Sequence, residues 1–177
     1  MAHLTMAVNV SVHQFHQTDY VAQVLAALEC TGANPQRLRL ELTESLLVSH
    51  VEGVVGKMST LREIGIGFSL DDFGTGYSSL SYLKRLPRDQ LKIDRGFVRD
   101  ILSDANDEAI AKMVAVLAEA MGLAMIAEGV ETLGQRNLLA EPGCHACQGY
   151  SFSRPLPLEA FEDFDHNQTP ETSENLQ

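Results

Sequence analysis

Apolar and polar positions along the chain follow two alternating periods, which predict strands and helices in turn. The predicted strands, each of five or six residues, are 5–10, 38–42, 66–70, 90–94, 123–127 and 145–150. The predicted helices have apolar residues three or four positions apart and cover 19–31, 49–65, 78–85, 106–121, 132–140 and 158–164. This alternation predicts one α/β domain, with a parallel sheet and helices outside it.

Several helices carry recognisable end signals. Thr18 can cap the first predicted helix, and capping boxes of Ser49 with Glu52 and of Thr132 with Gln135 open two later ones. The helix predicted at 106–121 is expected to turn the following residues inward: Ile110, Met113, Val114, Leu117 and Met121. We expect the domain to cover 1–164 and the polar residues 165–177 to form a disordered tail.

Two adjacent carboxylates, Asp71 and Asp72, follow the third predicted strand and precede Gly74 and Gly76. Neighbouring side chains on a strand point to opposite faces, but at its last residues both carboxylates can turn toward one site. Two unpaired carboxylates in a dry place repel each other, and a divalent cation relieves that repulsion. Because glycines allow a tight and mobile loop, the stretch predicts a metal site with a gating loop. An acidic turn after a strand is the alternative.

Other polar residues also collect where predicted strands end. The full set is Asn9, Glu41, Glu44, Asp71, Asp72, Lys92, Glu128, Glu131 and Gln148. Functional groups at the carboxyl ends of successive strands are typical of a (β/α) TIM-type barrel. Carboxylate and amide oxygens suit octahedral cations, and a lysine among them suits a developing negative charge. Together they indicate hydrolysis of a phosphate ester by metal-activated water, although each residue separately also fits a structural role.

The charge balance limits the classes of ligand. The chain carries 13 basic and 24 acidic residues, for a net charge of −11. This argues against nucleic-acid polymers, which need a basic surface, but leaves a small phosphorylated ligand that a metal bridges. No apolar run reaches the roughly 18 residues of a membrane span.

The cysteine pattern indicates structural thiols. Three cysteines, an odd number, suit a reducing compartment. Cys144 and Cys147 form a Cys-x-x-Cys pair, but a zinc site would need a second pair that the sequence lacks. We therefore expect these thiols to lie in or near a strand.

The number of strands falls short of a closed barrel. A complete (β/α) barrel has eight strands and about 250 residues, whereas this chain has 177 residues and six predicted strands. We expect an incomplete TIM-type barrel that lacks strands at its front. Open sheet edges invite pairing with another chain, so we expect a homodimer or higher oligomer.

Six motifs, in order, resemble an EAL domain. They are NVS at 9–11, ELTES at 41–45, DDFGTGYSSL at 71–80, KIDR at 92–95, AEGVET at 127–132 and QGYSFSRPL at 148–156. The family consists of bacterial phosphodiesterases that hydrolyse cyclic di-GMP to linear pGpG. The resemblance therefore implies a bacterial cytoplasmic enzyme with cyclic di-GMP as its ligand.

The resemblance also implies roles for individual residues. The implied ligands of two Mg²⁺ or Mn²⁺ ions are Asn9, Glu41, Asp71, Asp72 and Glu128. The implied catalytic residues are Lys92, which orients the attacking water, Glu128, and Glu44, which holds the 72–79 loop. The implied substrate-binding residues are Gln148, Glu131, Asp94 and Ser78. Ca²⁺ is expected to permit binding and to inhibit turnover.

One departure from the family pattern bears on activity. The Glu-Ala-Leu segment that names the family is absent before Asn9, and with it one metal-ligand glutamate. We therefore expect activity to be weakened or lost. A module that binds cyclic di-GMP without turnover, or that serves only for dimerisation, is the alternative.

Overall fold

The computed structural model describes residues 4–48, 50–74 and 83–168, the side chains of 47, 48 and 166–168 excepted. The strands are β1 (Met6–Val10), β2 (Leu38–Thr43), β3 (Gly67–Phe73), β4 (Gln90–Ile93), β5 (Ala124–Ala127) and β6 (Ala146–Cys147). The α-helices are α1 (Val12–His16), α2 (Tyr20–Thr31), α3 (Val51–Glu63), α4 (Arg95–Asp100), α5 (Ala105–Ala120), α6 (Leu133–Ala140) and α7 (Leu158–Gln168). Two 3-10 helices cover Pro35–Arg37 and Glu44–Val48.

The six strands form a single parallel sheet in chain order, β1 to β6. Neighbouring strands in space are neighbours in sequence. Within the described residues, helices lie in the β1–β2, β2–β3, β4–β5 and β5–β6 connections, as expected for right-handed crossovers. The sheet curls into part of a barrel, which confirms the incomplete (β/α) TIM-type fold. All six predicted strands are present.

One face of the sheet packs under the helices. Its fully or nearly fully buried side chains include Leu40, Leu42, Phe68, Leu70, Leu91 and Ile93. Burying each such side chain stabilises the fold by about 2 kcal/mol. Because side chains alternate along a strand, the positions between them face the inside of the curled sheet. Those positions carry the polar residues Glu41, Ser69 and Lys92, which are also buried.

Two strand ends differ from the predictions. β3 does not end at Leu70 but continues through both aspartates to Phe73, because β2 and β4 pair with it on either side. β6 covers only Ala146 and Cys147, so Gln148 follows this strand instead of lying on it. Within the described residues β6 pairs with β5 alone, and a strand that is paired on one side has fewer inter-strand hydrogen bonds to lengthen it.

Two short helices escaped the sequence analysis. α1 and α4 have five and six residues, too few to show a helical period. Their caps were readable, since Ser11 and Gln14 form a capping box and Asp94 accepts a hydrogen bond from Gly96 N at 2.8 Å. Asp94, the N-cap of α4, is also part of the site described below.

Details of three longer helices also differ. The N-cap of α2 is Asp19, so the predicted cap at Thr18 is wrong. Met113 on α5 is 57% exposed, because α5 packs through its small residues, Ala111, Ala115 and Ala118, together with Val114. α7 continues past the predicted Phe164 to Gln168.

Some predictions fall on positions that the structure does not describe. The capping box predicted for α3 begins at Ser49, which lies outside the described residues, and the N-cap that the structure gives this helix is His50. Most of the helix predicted at 78–85 lies within 75–82. In the described part of the chain, no helix combines the length and the apolar character needed to span a membrane. The boundary between domain and tail at residue 164 stays a prediction.

Candidate active site

Strand register brings polar residues from three neighbouring strands to one level inside the curled sheet. Asn9 on β1 stands opposite Glu41 on β2, and Glu41 stands opposite Ser69 on β3. Asp71 lies two residues beyond Ser69, on the same face, toward the carboxyl end of the sheet. The sequence positions therefore converge because parallel strands align their ends.

Lys92 on β4 lies at the centre of this group, with its side chain only 3% exposed. Its Nζ lies 2.9 Å from Glu41 Oε2 and 3.5 Å from Asp71 Oδ2, and it forms an ion pair with Glu128 Oε1. Burial lowers the pKa of Lys92, but hydrogen bonds to Glu128 and Glu41 outweigh burial and raise this pKa above its usual value. A single ammonium thus faces three carboxylates.

The backbone at Asp72 turns two neighbouring carboxylates to one side. Asp72 has a φ of 54°, in the left-handed region, and the β3–β4 register shifts between Leu70 and Phe73. Asp72 N donates to Asp71 Oδ1 at 2.9 Å. Such a conformation costs a non-glycine residue about 1 kcal/mol and often marks a functional position. This conformation turns both carboxylates toward one site at the end of β3, as the sequence predicts.

Asp71, Asp72 and Glu128 each offer a carboxylate oxygen, and these three oxygens lie within 4.8 Å of one another. Burial raises the pKa of Asp72, with further increases from the charges of Asp71 and Asp94 and from a hydrogen bond to Asp94. Burial also raises the pKa of Glu128, although Lys92 opposes that shift. Burial therefore disfavours the ionised form of both carboxyl groups, and neighbouring carboxylates add to this effect.

Polar groups around the cluster hold it in position. Gln148 Nε2 donates to Glu128 Oε1 at 2.8 Å. Gly74 N donates to Glu44 Oε2 at 3.3 Å, so the buried Glu44 contacts the backbone directly after β3. Asp94 accepts from Gly96 N while its carboxyl group contacts Asp72, and thus links the cluster to the start of α4.

A groove of about 650 Å³ opens beside the cluster. Glu128, Glu131 and Gln148 form part of its wall. The groove is also lined by Arg95, Tyr150 and Arg154, which were not singled out as site residues, and the guanidinium of Arg154 lies 4.9 Å from the centre of the Tyr150 ring. These residues lie within the KIDR and QGYSFSRPL motifs, which were the available signal.

The predicted site residues divide into three groups. The structure brings these together: Glu41, Asp71, Asp72, Lys92, Asp94, Glu128 and Gln148, with Glu44 bound to the backbone directly after β3. Asn9 and Glu131 are exposed, the former level with Glu41 and the latter on the groove wall. Ser78 lies outside the described residues. The roles assigned to all of them stay predictions.

The carboxylate cluster fits a divalent cation by its chemistry. Mg²⁺ and Mn²⁺ prefer carboxylate oxygens, and the three converging oxygens are of that kind. Glu41, Asp71 and Glu128 share one lysine, and Asp72 lies beside them, so a cation would relieve the repulsion among these carboxylates. The donors that would hold the ion are Asp71, Asp72 and Glu128.

Comparison with known families gives one match over most of the chain. Residues 1–155 match the model of the EAL domain. The chain is 45% identical over 161 residues to the cyclic di-GMP phosphodiesterase NbdA of Pseudomonas aeruginosa. That alignment covers 91% of this chain and 21% of NbdA, so the chain spans about a fifth of this relative's length.

Solved structures give the same result. The PaMucR phosphodiesterase in complex with c-di-GMP is 42% identical, with a TM-score of 0.87 over 90% of this chain and 65% of that one. BlrP1 of Klebsiella pneumoniae, in complex with manganese and cyclic di-GMP, is 34% identical, with a TM-score of 0.77. This second match covers 85% of this chain and 39% of BlrP1. A calcium complex of BlrP1 matches equally well.

Proposed function

Because this chain belongs to the EAL domain family, we propose that it is a metal-dependent phosphodiesterase that hydrolyses cyclic di-GMP to linear pGpG. The observation that carries the proposal is the partly buried cluster of Asp71, Asp72 and Glu128 beside the buried Lys92, at the edge of a groove. Relatives named for this activity, and related structures that contain cyclic di-GMP, support the choice of substrate.

Divalent cations are part of the proposal. Asp71, Asp72 and Glu128 would hold Mg²⁺ or Mn²⁺, with Glu41 and Asn9 as further ligands toward β1. A pair of such ions supplies activated water and stabilises the entering and leaving oxygens of a phosphodiester. The manganese complex of BlrP1 supports a divalent requirement, and its calcium complex fits our expectation that Ca²⁺ permits binding without turnover.

The chain's own residues would position the phosphodiester and manage its charge. Lys92 presents an ammonium toward the carboxylates, where it can orient a water and stabilise negative charge that develops on the phosphate. Gln148 fixes one oxygen of Glu128 and leaves the other for a ligand. Asp94 limits the movement of Asp72. These contacts keep the reacting groups in a fixed geometry before substrate arrives.

Incubation of the full chain with cyclic di-GMP and Mg²⁺ or Mn²⁺ tests the proposal. We expect chromatography to show slow formation of linear pGpG in the presence of either ion and none after chelation. Calorimetry with cyclic di-GMP in Ca²⁺ is the companion measurement. Binding without product under any of these ions would contradict the enzyme and favour a ligand-binding module. The absence of both binding and product would exclude each of these functions.

Metal binding should release protons, because the pKa values of Asp72 and Glu128 are raised in the metal-free protein. A carboxyl group must be ionised to bind the cation, so affinity for Mg²⁺ should increase with pH across the interval between the ordinary and the raised pKa. Calorimetric titration at constant pH in two buffers with different ionisation enthalpies measures the release. Identical heats in both buffers, and an affinity independent of pH, would contradict the raised pKa values of Asp72 and Glu128.

We further propose that the chain forms a homodimer or higher oligomer. Within the described residues β1 and β6 each pair on one side only, and Met6 and Val8 on β1 are 68% and 38% exposed. An exposed apolar edge strand favours pairing with another copy. Sedimentation velocity over a range of concentrations should show a species larger than 19.4 kDa. A stable monomer at every concentration would contradict the proposal.

A further inference from the structure

The Cys144–Cys147 pair has no part in the site described above. Both thiols are free, Cys144 buried and Cys147 partly exposed on β6. Cys144 Sγ donates toward Ala146 O at 3.4 Å and Met125 O at 3.8 Å. Ala146 O belongs to the peptide that joins Ala146 to Cys147, and the two thiols shift each other's pKa, so the sulfurs lie close together. Both cysteines lie in or near a strand, as expected from the sequence. Their two oxidisable sulfurs therefore lie side by side.

Metal binding does not account for the pair. Across the described ranges, neither thiol joins a group of three side chains with ligand spacing, and His145 between them is exposed. A structural zinc site needs four ligands. Two neighbouring thiols without a metal are instead suited to reversible oxidation.

A small oxidant can approach the segment that carries both cysteines. A groove of about 610 Å³ runs beside it, with Met125, Gly143, His145 and Ala146 in its wall. Cys147 is the more accessible sulfur, and the charge of Arg136 favours its thiolate. Cys147 is therefore the sulfur that an oxidant would meet first.

The same segment is connected to the carboxylate cluster by backbone pairing. Cys147 stands opposite Ala127 on β5, and Gln148 N donates to Ala127 O at 2.8 Å. The next residue after Ala127 is Glu128, whose carboxylate accepts a hydrogen bond from the Gln148 side chain. β6 has only two residues and, within the described residues, one partner strand, so few hydrogen bonds resist its displacement. Movement of Cys147 would therefore move Gln148.

We propose that Cys144 and Cys147 form a reversible intramolecular disulfide under oxidising conditions, and that this bond displaces Gln148 and lowers the activity of the carboxylate site. The oxidant is a peroxide. Cys147 Sγ attacks one peroxide oxygen, the O–O bond breaks, and one water leaves as the sulfur becomes a sulfenic acid. Cys144 Sγ then attacks that sulfur, loses its proton, and releases the second water. The sulfurs lose two electrons in total, which reduce peroxide to water.

The reaction should be slow. Burial raises the pKa of Cys144 to about 12 and also raises the pKa of Cys147 above its usual value, so thiolates are scarce at neutral pH. The pair therefore responds to sustained oxidation and not to brief exposure. A higher pH should accelerate bond formation.

The test treats the full reduced chain with hydrogen peroxide at pH 8, blocks remaining thiols, digests with trypsin and measures peptide masses. Cleavage after Arg136 yields one peptide with both Cys144 and Cys147, separate from the peptide with Cys30. We expect the former to lose the mass of two hydrogens and to regain it with a thiol reductant. Sulfinic acids without that mass loss, or linkage through Cys30 instead, would overturn the proposed bond.

Two variants separate the pair from other effects of peroxide. Activity should fall about 10-fold in the wild type, a loss typical of a displaced supporting group, and equally in Cys30→Ser, which removes an exposed cysteine on α2. Cys147→Ser should keep its activity under the same treatment. A disulfide that leaves wild-type activity unchanged would overturn the coupling.

The activity measurement rests on the proposed function, whereas the disulfide does not. Hydrogen–deuterium exchange over 146–151 reads the displacement of β6 independently of turnover. We expect faster exchange after oxidation in the wild type and no change in Cys147→Ser. Unchanged exchange in the oxidised wild type would overturn the displacement. An inactive but oxidisable chain would contradict the proposed function alone.

Discussion

Asp71→Asn should abolish both hydrolysis of cyclic di-GMP and binding of Mg²⁺. Asp71 contributes one of three converging carboxylate oxygens and is buried beside Lys92. The amide keeps the size of the side chain but removes the negative charge that a hard cation requires. Since removal of a group that only supports a ligand typically costs about 10–100-fold, loss of the ligand itself should cost more than about 100-fold. Product chromatography and calorimetry with Mg²⁺ measure the two effects.

The matched control is Asp100→Asn. Asp100 also pairs with a basic residue, Arg99 at 2.7 Å, but on the surface of α4 and away from the carboxylate cluster. It should leave turnover unchanged. Gln148→Ala should fall between the two variants, because Gln148 supports Glu128 without joining the cluster. Full turnover in Asp71→Asn, with circular dichroism equal to that of the wild type, would refute the metal assignment.

The parallel sheet and the position of the polar residues at its carboxyl edge followed directly from the sequence pattern. Asn9, Glu41 and Lys92 could be placed because a parallel sheet aligns the carboxyl ends of its strands, and the structure has that alignment. The sequence could not give the length of β3, because pairing on both sides extends that strand through Asp71 and Asp72. Tertiary pairing decided this boundary.

Contacts inside the cluster were less accessible to sequence reasoning. Lys92 Nζ lies closer to Glu41 and Glu128 than to Asp71, and sequence spacing does not rank these three carboxylates. Which carboxylate approaches depends on side-chain reach across three strands. The positive φ of Asp72 was equally hidden, since that conformation is rare for any residue other than glycine.

Lys92→Met should destabilise the metal-free protein by about 3 kcal/mol, because removal of one partner leaves buried charges uncompensated. Lys92 faces Glu41, Asp71 and Glu128 with almost no exposed surface. Millimolar Mg²⁺ should recover part of this loss, since the ion replaces the missing charge and binds the folded state. Urea denaturation with and without Mg²⁺ measures both effects. The control is Lys112→Met, whose exposed ion pair with Glu108 on α5 should contribute less than about 0.5 kcal/mol.

The loss of stability in Lys92→Met should also depend on pH. Burial raises the pKa of Glu128 in the folded protein, and loss of Lys92 removes the interaction that opposes this shift. A carboxyl group with a raised folded pKa binds more protons in the folded state, so stability falls as pH rises from the ordinary value through the raised one. The variant should therefore lie closest to the wild type near pH 5 and furthest from it near pH 8. A loss of stability that is constant across this pH range and insensitive to Mg²⁺ would mean that Lys92 acts through packing. It would contradict the claim that Lys92 neutralises the surrounding carboxylates.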